Sequence, residues 1–193
     1  MIQKISFFFL FILMISFAGK AQNRGEIRVY YGLAESGFLT PEQLEGAAGY
    51  SVQGMQEFGV RYIHHTITNL SLAAGINFLH AEVTATPAPS PQPEIITEPI
   101  SMISIPLLVH LHLGRYFFIN GGPLLDFQLT ENTHDLQSGI GFSLGLGASY
   151  AFDSFSLFLS PNIKSHALLP FEAENNHQRL TEIGLQVGVG YSF

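Results

Sequence analysis

The sequence predicts an all-β fold, an eight-stranded antiparallel up-and-down barrel that crosses a membrane. Eight segments alternate bulky apolar residues with small or polar ones at a period of two, as strands do when their faces meet unlike surroundings. The connections between these segments alternate short and long, and aromatic residues gather near the segment ends. Barrels of the bacterial outer membrane combine all three properties.

The first 21 residues have the organisation of a secretory signal peptide. Residues 5–18 are apolar but too few to cross about 30 Å of hydrocarbon as a helix. They follow Lys4 and precede Gly19-Lys20-Ala21, whose small residues suit cleavage between Ala21 and Gln22. We therefore assign 1–21 to the signal peptide and 22–193 to the barrel domain, with a short N-terminal anchor as the alternative.

Each of the first four segments of the barrel domain has one bulky apolar face. The segments cover 26–34, about 56–65, 70–83 and 100–113. In chain order, the apolar faces hold Ile27, Val29, Tyr31 and Leu33; Phe58, Val60 and Tyr62; Leu70, Leu72, Ala74, Ile76 and Phe78; and Ile103, Ile105, Leu107, Val109 and Leu111. The opposite faces are mainly Gly, Ser, Ala, Asn and His with a few charges.

The last four segments repeat the pattern over 116–130, 139–152, 154–166 and 181–193. Their apolar faces hold Phe117, Ile119, Leu125, Phe127 and Leu129; Ile140, Phe142, Leu144, Leu146, Ala148, Tyr150 and Phe152; Phe155, Leu157, Leu159 and Ile163; and Ile183, Leu185, Val187, Val189, Tyr191 and Phe193. Pro106, Pro123 and Pro161 fall inside segments, where a bulge or local kink would accommodate the missing amide donor.

The order of short and long connections predicts how the chain sits in a membrane. Residues 65–69, 113–116 and 152–154 make tight connections, whereas 36–55, 84–99, 131–138 and 167–179 make longer ones. With an even number of strands, both termini lie on the short-turn side, which is periplasmic in outer-membrane barrels. Eight aromatic residues also fall at that side: Tyr62, Tyr116, Phe117, Tyr150, Phe152, Phe155, Tyr191 and Phe193.

The small or polar face is predicted to line the barrel interior. It carries too few charges for a solvated surface, and an eight-stranded barrel has an interior that side chains fill. We therefore expect no open pore and a polar network in the lumen, formed by Arg28, Glu57, Arg61, Asp126, Lys164 and Glu182.

Composition excludes some classes of function. Without Lys4 and Lys20 the domain keeps six basic residues against fifteen acidic ones, a net charge of −9 that argues against nucleic acid as a partner. Charged residues are only 12% of the chain, mean hydropathy is +0.26, and there is no cysteine for a disulfide.

Three stretches resemble the PorT-like outer-membrane β-barrel family of the Bacteroidota. They are Ile105-Pro106-Leu107-Leu108, residues 116–123 and the glycine-rich 141–150, and the resemblance continues to the terminal Tyr191-Ser192-Phe193. It implies an eight-stranded barrel and accounts for the first two internal prolines. It also implies that Tyr191 and Phe193 form the signal read by the barrel-assembly machinery, and it associates some relatives with secretion and surface attachment.

Histidines are the candidates for chemistry. His110 and His112 share a face and could bind a metal with His166 or Asp126 as a third ligand, although a lumen hydrogen-bond network is the favoured interpretation. A hydrolase could use loop or rim histidines, such as His134 beside Asp135, or His177 near Glu172 and Glu174. No complete motif supports either, so we predict no enzyme activity, no cofactor and no metal.

The leading hypothesis is a non-enzymatic integral protein of the outer membrane. It would contact outer-membrane lipid, depend on the barrel-assembly machinery, and serve as a structural, scaffold or accessory component with secretion or surface proteins as partners. Two alternatives remain: an outer-membrane hydrolase for lipid or peptide, and an exported soluble barrel that binds a small apolar ligand.

Overall fold

Eight antiparallel strands close into a barrel in which every strand pairs with its neighbours in the chain and β8 pairs with β1. The structure, a computed structural model, describes residues 25–39, 49–86, 96–130, 137–171 and 179–193. The strands are β1 (Gly25–Leu39), β2 (Gly49–Ile67), β3 (Leu70–Thr86), β4 (Ile96–Leu113), β5 (Phe117–Gln128), β6 (Gly139–Phe152), β7 (Phe155–Pro170) and β8 (Arg179–Ser192). Within those ranges, no helix is long and apolar enough to span a membrane.

The barrel closes along an unbroken ladder between its first and last strands. The register runs from Glu26 opposite Ser192 to Leu39 opposite Arg179 without a shift. At the short-turn end, Gly25 and Phe193 exchange two backbone hydrogen bonds of 3.2 and 3.0 Å. The closed barrel therefore leaves no strand edge open.

The bulky apolar face of each strand points outward, as predicted. Leu107, Leu144, Leu185 and Val187 are 45–53% exposed, whereas their sequence neighbours on the opposite face turn into the lumen. The predicted eight-stranded architecture is therefore confirmed, and so is the assignment of its two faces.

Most strands extend further toward the long connections than the alternation predicted. The predicted third segment ended at Val83, just after the outer face of β3 becomes polar at His80 and Glu82. Backbone pairing does not require apolar outer residues, and here the inner face becomes apolar instead, with Leu79, Ala81 and Val83 buried. On β2, β3 and β4 the wall therefore continues with a polar outside and an apolar inside.

Of the two accommodations considered for the three internal prolines, a bulge or a local kink, the bulge is not found at any of them. Registers on both sides of Pro106, Pro123 and Pro161 are unshifted. In an antiparallel sheet a residue directs its amide toward one neighbouring strand only. Each proline accordingly lacks a ladder partner on one side and keeps it on the other, as Pro161 does opposite Leu185. The shifts that do occur lie near residues 34–36, 53–56, 65–67 and 140–142.

Candidate functional site

The lumen is the part of the barrel where polar chemistry is concentrated. The six side chains predicted to form a polar network there are all at most 6% exposed. They do not form one cluster, because the structure distributes them over a central group, a group at the short-turn end and an Arg–Tyr pair between them.

Lys164 is the centre of the first group. Its Nζ lies 2.8 Å from Oε2 of Glu57 and 2.6 Å from Oε1 of Glu182, so one ammonium on β7 joins carboxylates on β2 and β8. Gln186 also donates to Oε2 of Glu57 at 2.8 Å. Two carboxylates against one ammonium leave one negative charge to be balanced by other groups nearby.

His166 extends this group toward Asp126 on β5. Its Nδ1 lies 3.1 Å from Oδ2 of Asp126, and its Nε2 lies 3.7 Å from Oε2 of Glu182. Ser104 donates to the other oxygen of Asp126 at 2.6 Å. The imidazole thus stands between two carboxylates and completes a chain of ionisable side chains from Glu57 to Asp126 across the lumen.

Arg28 occupies the short-turn end with a partner that the sequence analysis did not select. Its Nε and Nη2 donate to the two oxygens of Glu26 at 2.9 and 3.0 Å, and Ser156 donates to the same carboxylate. The guanidinium also lies 5.2 and 4.8 Å from the ring centres of Phe118 and Phe158. Glu26 could have been found from its i, i+2 spacing, which puts it on the face of Arg28.

Arg61 lies between these groups and pairs with a tyrosine instead of a carboxylate. Its Nη2 donates to Oη of Tyr30 at 2.9 Å, and its guanidinium lies 4.8 Å from the centre of that ring. The Tyr30 hydroxyl in turn donates to Asn77. Tyr30 is 2% exposed and sits on the lumen face of β1, so an aromatic residue supplies the buried polar contact.

The histidines proposed as metal ligands are separated by the fold. His112 and His65 both hydrogen-bond to Oγ of Ser71, at 3.0 and 2.8 Å, near the short-turn end. His110 packs against the ring of Phe118, and His166 belongs to the central group. The candidate combination of His110, His112 and His166 is therefore not assembled. The described part of the chain contains no group of three or more His, Asp or Glu side chains arranged to hold a metal ion.

The loop residues named as hydrolase candidates lie outside the residues that the structure describes: His134, Asp135, Glu172, Glu174 and His177. His166 is 1% exposed, and its contacts are carboxylates. Ser104 contacts Asp126 on the side opposite His166, which is not the arrangement of a hydroxyl activated by a histidine base.

Apolar side chains close the lumen above the central group. Seven of them are at most 2% exposed and pack as one cluster: Met55, Leu79, Ala81, Val83, Ile100, Met102 and Leu180. A smaller cluster of Tyr30, Phe118 and Phe158 lies toward the short-turn end. The space bounded by Gly32, Met55, Glu57 and Glu182 has no volume open to a water molecule. The central ions thus lie between two apolar layers.

Comparisons with known proteins agree with the fold. No protein-family model matches the chain and no curated protein sequence is similar to it, so its resemblance to PorT-like barrels stays a prediction. Among solved structures, the chain is similar to the outer-membrane protein OprG from Pseudomonas aeruginosa, with a TM-score of 0.60, 12% identity and coverage of 89% of this chain and 96% of that one.

Two further solved structures have the same barrel. Outer-membrane protein AlkL, studied in lipid bilayers, gives a TM-score of 0.58 at 13% identity, over 91% of this chain and 92% of that one. Ail of Yersinia pestis, the attachment invasion locus protein, gives 0.50 at 10% identity, over 90% and 100%. At such identities the likeness establishes a shared fold: this chain is an eight-stranded barrel of the kind found in outer-membrane proteins.

Proposed function

We propose that the protein is an integral outer-membrane barrel with a closed lumen and a non-enzymatic role. The observation that carries the proposal is the continuous apolar outer surface. Leu33, Leu72, Leu146, Leu157 and Ile183 lie on different strands, and each is at least half exposed. Soluble proteins rarely expose an apolar patch above a few hundred Å², and this surface encircles the molecule.

The ends of the apolar surface carry aromatic residues. At the short-turn end, Tyr116 stacks on Tyr150, Phe152 on Phe155, and Phe193 on Tyr62. Tyrosine and phenylalanine with exposed rings suit the level of lipid head groups. This supports a membrane orientation with both termini on the periplasmic side. The same outward-facing residues argue against the exported soluble barrel, which would hold its bulky residues inside.

The filled lumen supports a structural role over a channel. Seven apolar side chains pack as one cluster in the lumen, and the space beside Glu57 and Glu182 has no room for a water molecule. The long connections, on the opposite side from the termini, are then the surface offered to other molecules. We propose a scaffold or accessory role in secretion or surface attachment, of the kind that the resemblance to PorT-like barrels implies.

Fractionation and labelling test location and orientation together. The chain has no cysteine, so Thr97→Cys and Arg115→Cys each introduce one exposed thiol, near the long connections and in a short turn respectively. We expect both variants in the outer-membrane fraction. In intact cells a membrane-impermeant maleimide should label only Thr97→Cys, and Arg115→Cys should react after the outer membrane is permeabilised. Recovery in the soluble periplasm, or the reverse labelling, would contradict the proposal.

Conductance tests the closed lumen. The purified protein, reconstituted in planar lipid bilayers, should show no steady ion current above that of the protein-free bilayer. A variant with lumen contacts removed, Met55→Ala with Met102→Ala, provides a comparison in which the apolar cluster is thinned. Stable single-channel steps from the unmodified protein would contradict a closed lumen and favour a channel.

A further inference from the structure

The barrel wall is irregular where β1, β2 and β8 meet near the long connections. The register between β1 and β2 shifts between Ala34 and Ser36, and the register between β2 and β3 shifts between Gln53 and Gln56. Gly54, in the second irregularity, has a φ of +64°. A bulge bends its strand and moves it from its neighbour, and the outer surface has a recess at this place.

This recess is a cleft of about 740 Å³ that opens on the outer face of the barrel. Its flanks are the outward side chains of Leu33, Ile183 and Leu185, and Met55 forms part of its lining. A Cβ added at Gly37 or Gly54 would meet no atom within 4 Å. Empty space therefore adjoins the backbone at both glycines, and the volume is within the range of small-molecule sites.

The cleft changes from apolar to polar along the barrel axis. Leu33 and Leu185 lie nearer the middle of the apolar band, whereas Glu35 and Thr181 lie nearer the long connections. The Ser36 hydroxyl, also in the lining, is shielded from solvent and has no hydrogen-bond partner among the described residues. The cleft therefore offers an apolar surface and, at its outer end, the polar side chains of Glu35 and Thr181.

The cleft is a blind recess. It shares five lining residues with the space inside the lumen, but that inner space has no room for a water molecule. The shared residues are Leu33, Ala34, Met55, Gly184 and Leu185. Two of the central ions, Glu57 and Glu182, line this inner space. A molecule in the cleft would therefore reach the apolar lining and stop there.

We propose that this cleft binds the alkyl chain of one membrane amphiphile whose head group donates hydrogen bonds and carries no negative charge. The inference rests on the proposed membrane location, because the mouth of the cleft then faces hydrocarbon. The apolar section receives the chain, and the polar section receives the head group. Glu35 is exposed in the lining at this polar section, so its carboxylate favours a hydroxyl or amine head and repels an anionic one.

Tryptophan fluorescence provides the test, because the chain contains no tryptophan. Val187→Trp places a reporter next to Leu185 on the same outer face but outside the cleft lining. Leu144→Trp places a control on the outer face of β6. Both variants are measured in mixed micelles with a low mole fraction of dodecyl maltoside that is brominated in its alkyl chain. We expect the fluorescence of the tryptophan at position 187 to be quenched more than that at position 144, and the excess quenching to saturate.

A side chain that fills the cleft should remove this difference. Gly37→Leu adds volume where no atom lies within 4 Å of the new Cβ, so the barrel should still fold. Ala74→Leu adds similar volume on the outer face of β3 as a matched control. Heat-modifiable gel mobility verifies that each variant is a folded barrel. We expect Gly37→Leu, but not Ala74→Leu, to reduce quenching at position 187 to the level at position 144.

The head group is tested by competition. Unbrominated dodecyl maltoside should relieve the excess quenching. Ionised lauric acid should relieve it several-fold less well. Glu35→Gln should reduce this difference between the two competitors. Equal quenching at both reporters, or excess quenching unchanged by Gly37→Leu, would overturn the proposal. Such a result in a protein that still fractionates with the outer membrane would leave the proposed location intact.

Discussion

Lys164 and Glu57 lie on strands that are not neighbours in the barrel, yet Nζ of the lysine is 2.8 Å from Oε2 of the glutamate. The contact joins residues 107 positions apart in the chain and passes through the lumen, not along the wall. A second contact, from the same ammonium to Glu182, is 2.6 Å long. The central ions therefore connect strands that are not neighbours and hold them together across the lumen.

Removal of the central cation should destabilise the barrel strongly. Lys164→Met leaves the carboxylates of Glu57 and Glu182 enclosed without their ammonium, which should cost about 3–5 kcal/mol of unfolding free energy. Urea titration in phospholipid vesicles, followed by circular dichroism, measures the change.

Neutralising the carboxylates distinguishes lost charge balance from lost packing. Addition of Glu57→Gln and Glu182→Gln to Lys164→Met should recover part of the loss, because the uncompensated charges are removed. Arg115→Met, which removes an exposed cation in a short turn, should change stability by less than about 0.5 kcal/mol. A Lys164→Met protein as stable as the unmodified one would show that the pairs contribute nothing.

Arginine at position 28 should not be replaceable by lysine. Arg28→Lys keeps the charge but loses the two-pronged contact with Glu26 and the planar group that lies against Phe118 and Phe158. We expect a loss of about 1–2 kcal/mol in the same titration. Arg115→Lys is the matched control, because Arg115 lies over Tyr116 at the exposed surface. Equal effects of the two changes would contradict the role of the buried geometry.

Small residues in the wall make room for the lumen aromatics. A Cβ at Gly147 would overlap the ring of Phe118. Gly147→Ala should therefore cost about 1–3 kcal/mol, and a smaller side chain in Phe118→Leu should recover part of that loss in the double variant. Gly37→Ala, where the added carbon meets open space, should leave the melting temperature nearly unchanged. Equal destabilisation by both alanines would argue that steric overlap is not the cause.

The terminal aromatic should matter more for assembly than for the finished barrel. Phe193 stacks on Tyr62 and Tyr191 at the short-turn end, where it is half exposed. If it is the predicted assembly signal, Phe193→Ala should lower the amount of protein in the outer membrane several-fold. Refolding of the same variant from urea into vesicles should change little.

A control variant tests whether a lower level in the outer membrane depends on the terminal position of Phe193 or follows from the loss of any exposed apolar side chain. Leu169→Ala removes an exposed apolar side chain on β7 at the opposite end of the barrel. Its level in the outer membrane should stay close to that of the unmodified protein. Equal amounts of Phe193→Ala and Leu169→Ala in the outer membrane would contradict a special role of the last residue in assembly.

The strands and their facing could be predicted because each strand separates two different environments. In β6, Phe142, Leu144 and Leu146 face outward while Ser143 and Gly145 face inward, and the predicted bounds of that strand agree with the structure. Where the outside becomes polar, the rule no longer applies. The predicted third segment stopped at Val83, after the polar His80 and Glu82, although the backbone ladder of β3 continues to Thr86.

The partners inside the lumen could not be predicted because they depend on where strands lie around the barrel. The face of Lys164 was evident from its position in β7, but its contact with Glu57 requires the closed barrel. His166 is similar: its lumen position suggested His110 and His112 as companions, and the barrel places it between Asp126 and Glu182. The cleft was not foreseen either, because the register shifts that create it leave the alternation of β1 intact.

The ladder between β1 and β8 has a consequence for biosynthesis. Glu26 pairs with Ser192, so the first strand finds its second neighbour only when the last strand has been made. Contacts between such distant residues form slowly, because a long loop must close before they stabilise anything. Until then β1 offers an unsatisfied edge that can join another chain and aggregate. In a nascent chain with this topology, that edge therefore stays open from the synthesis of β1 until β8 pairs with it.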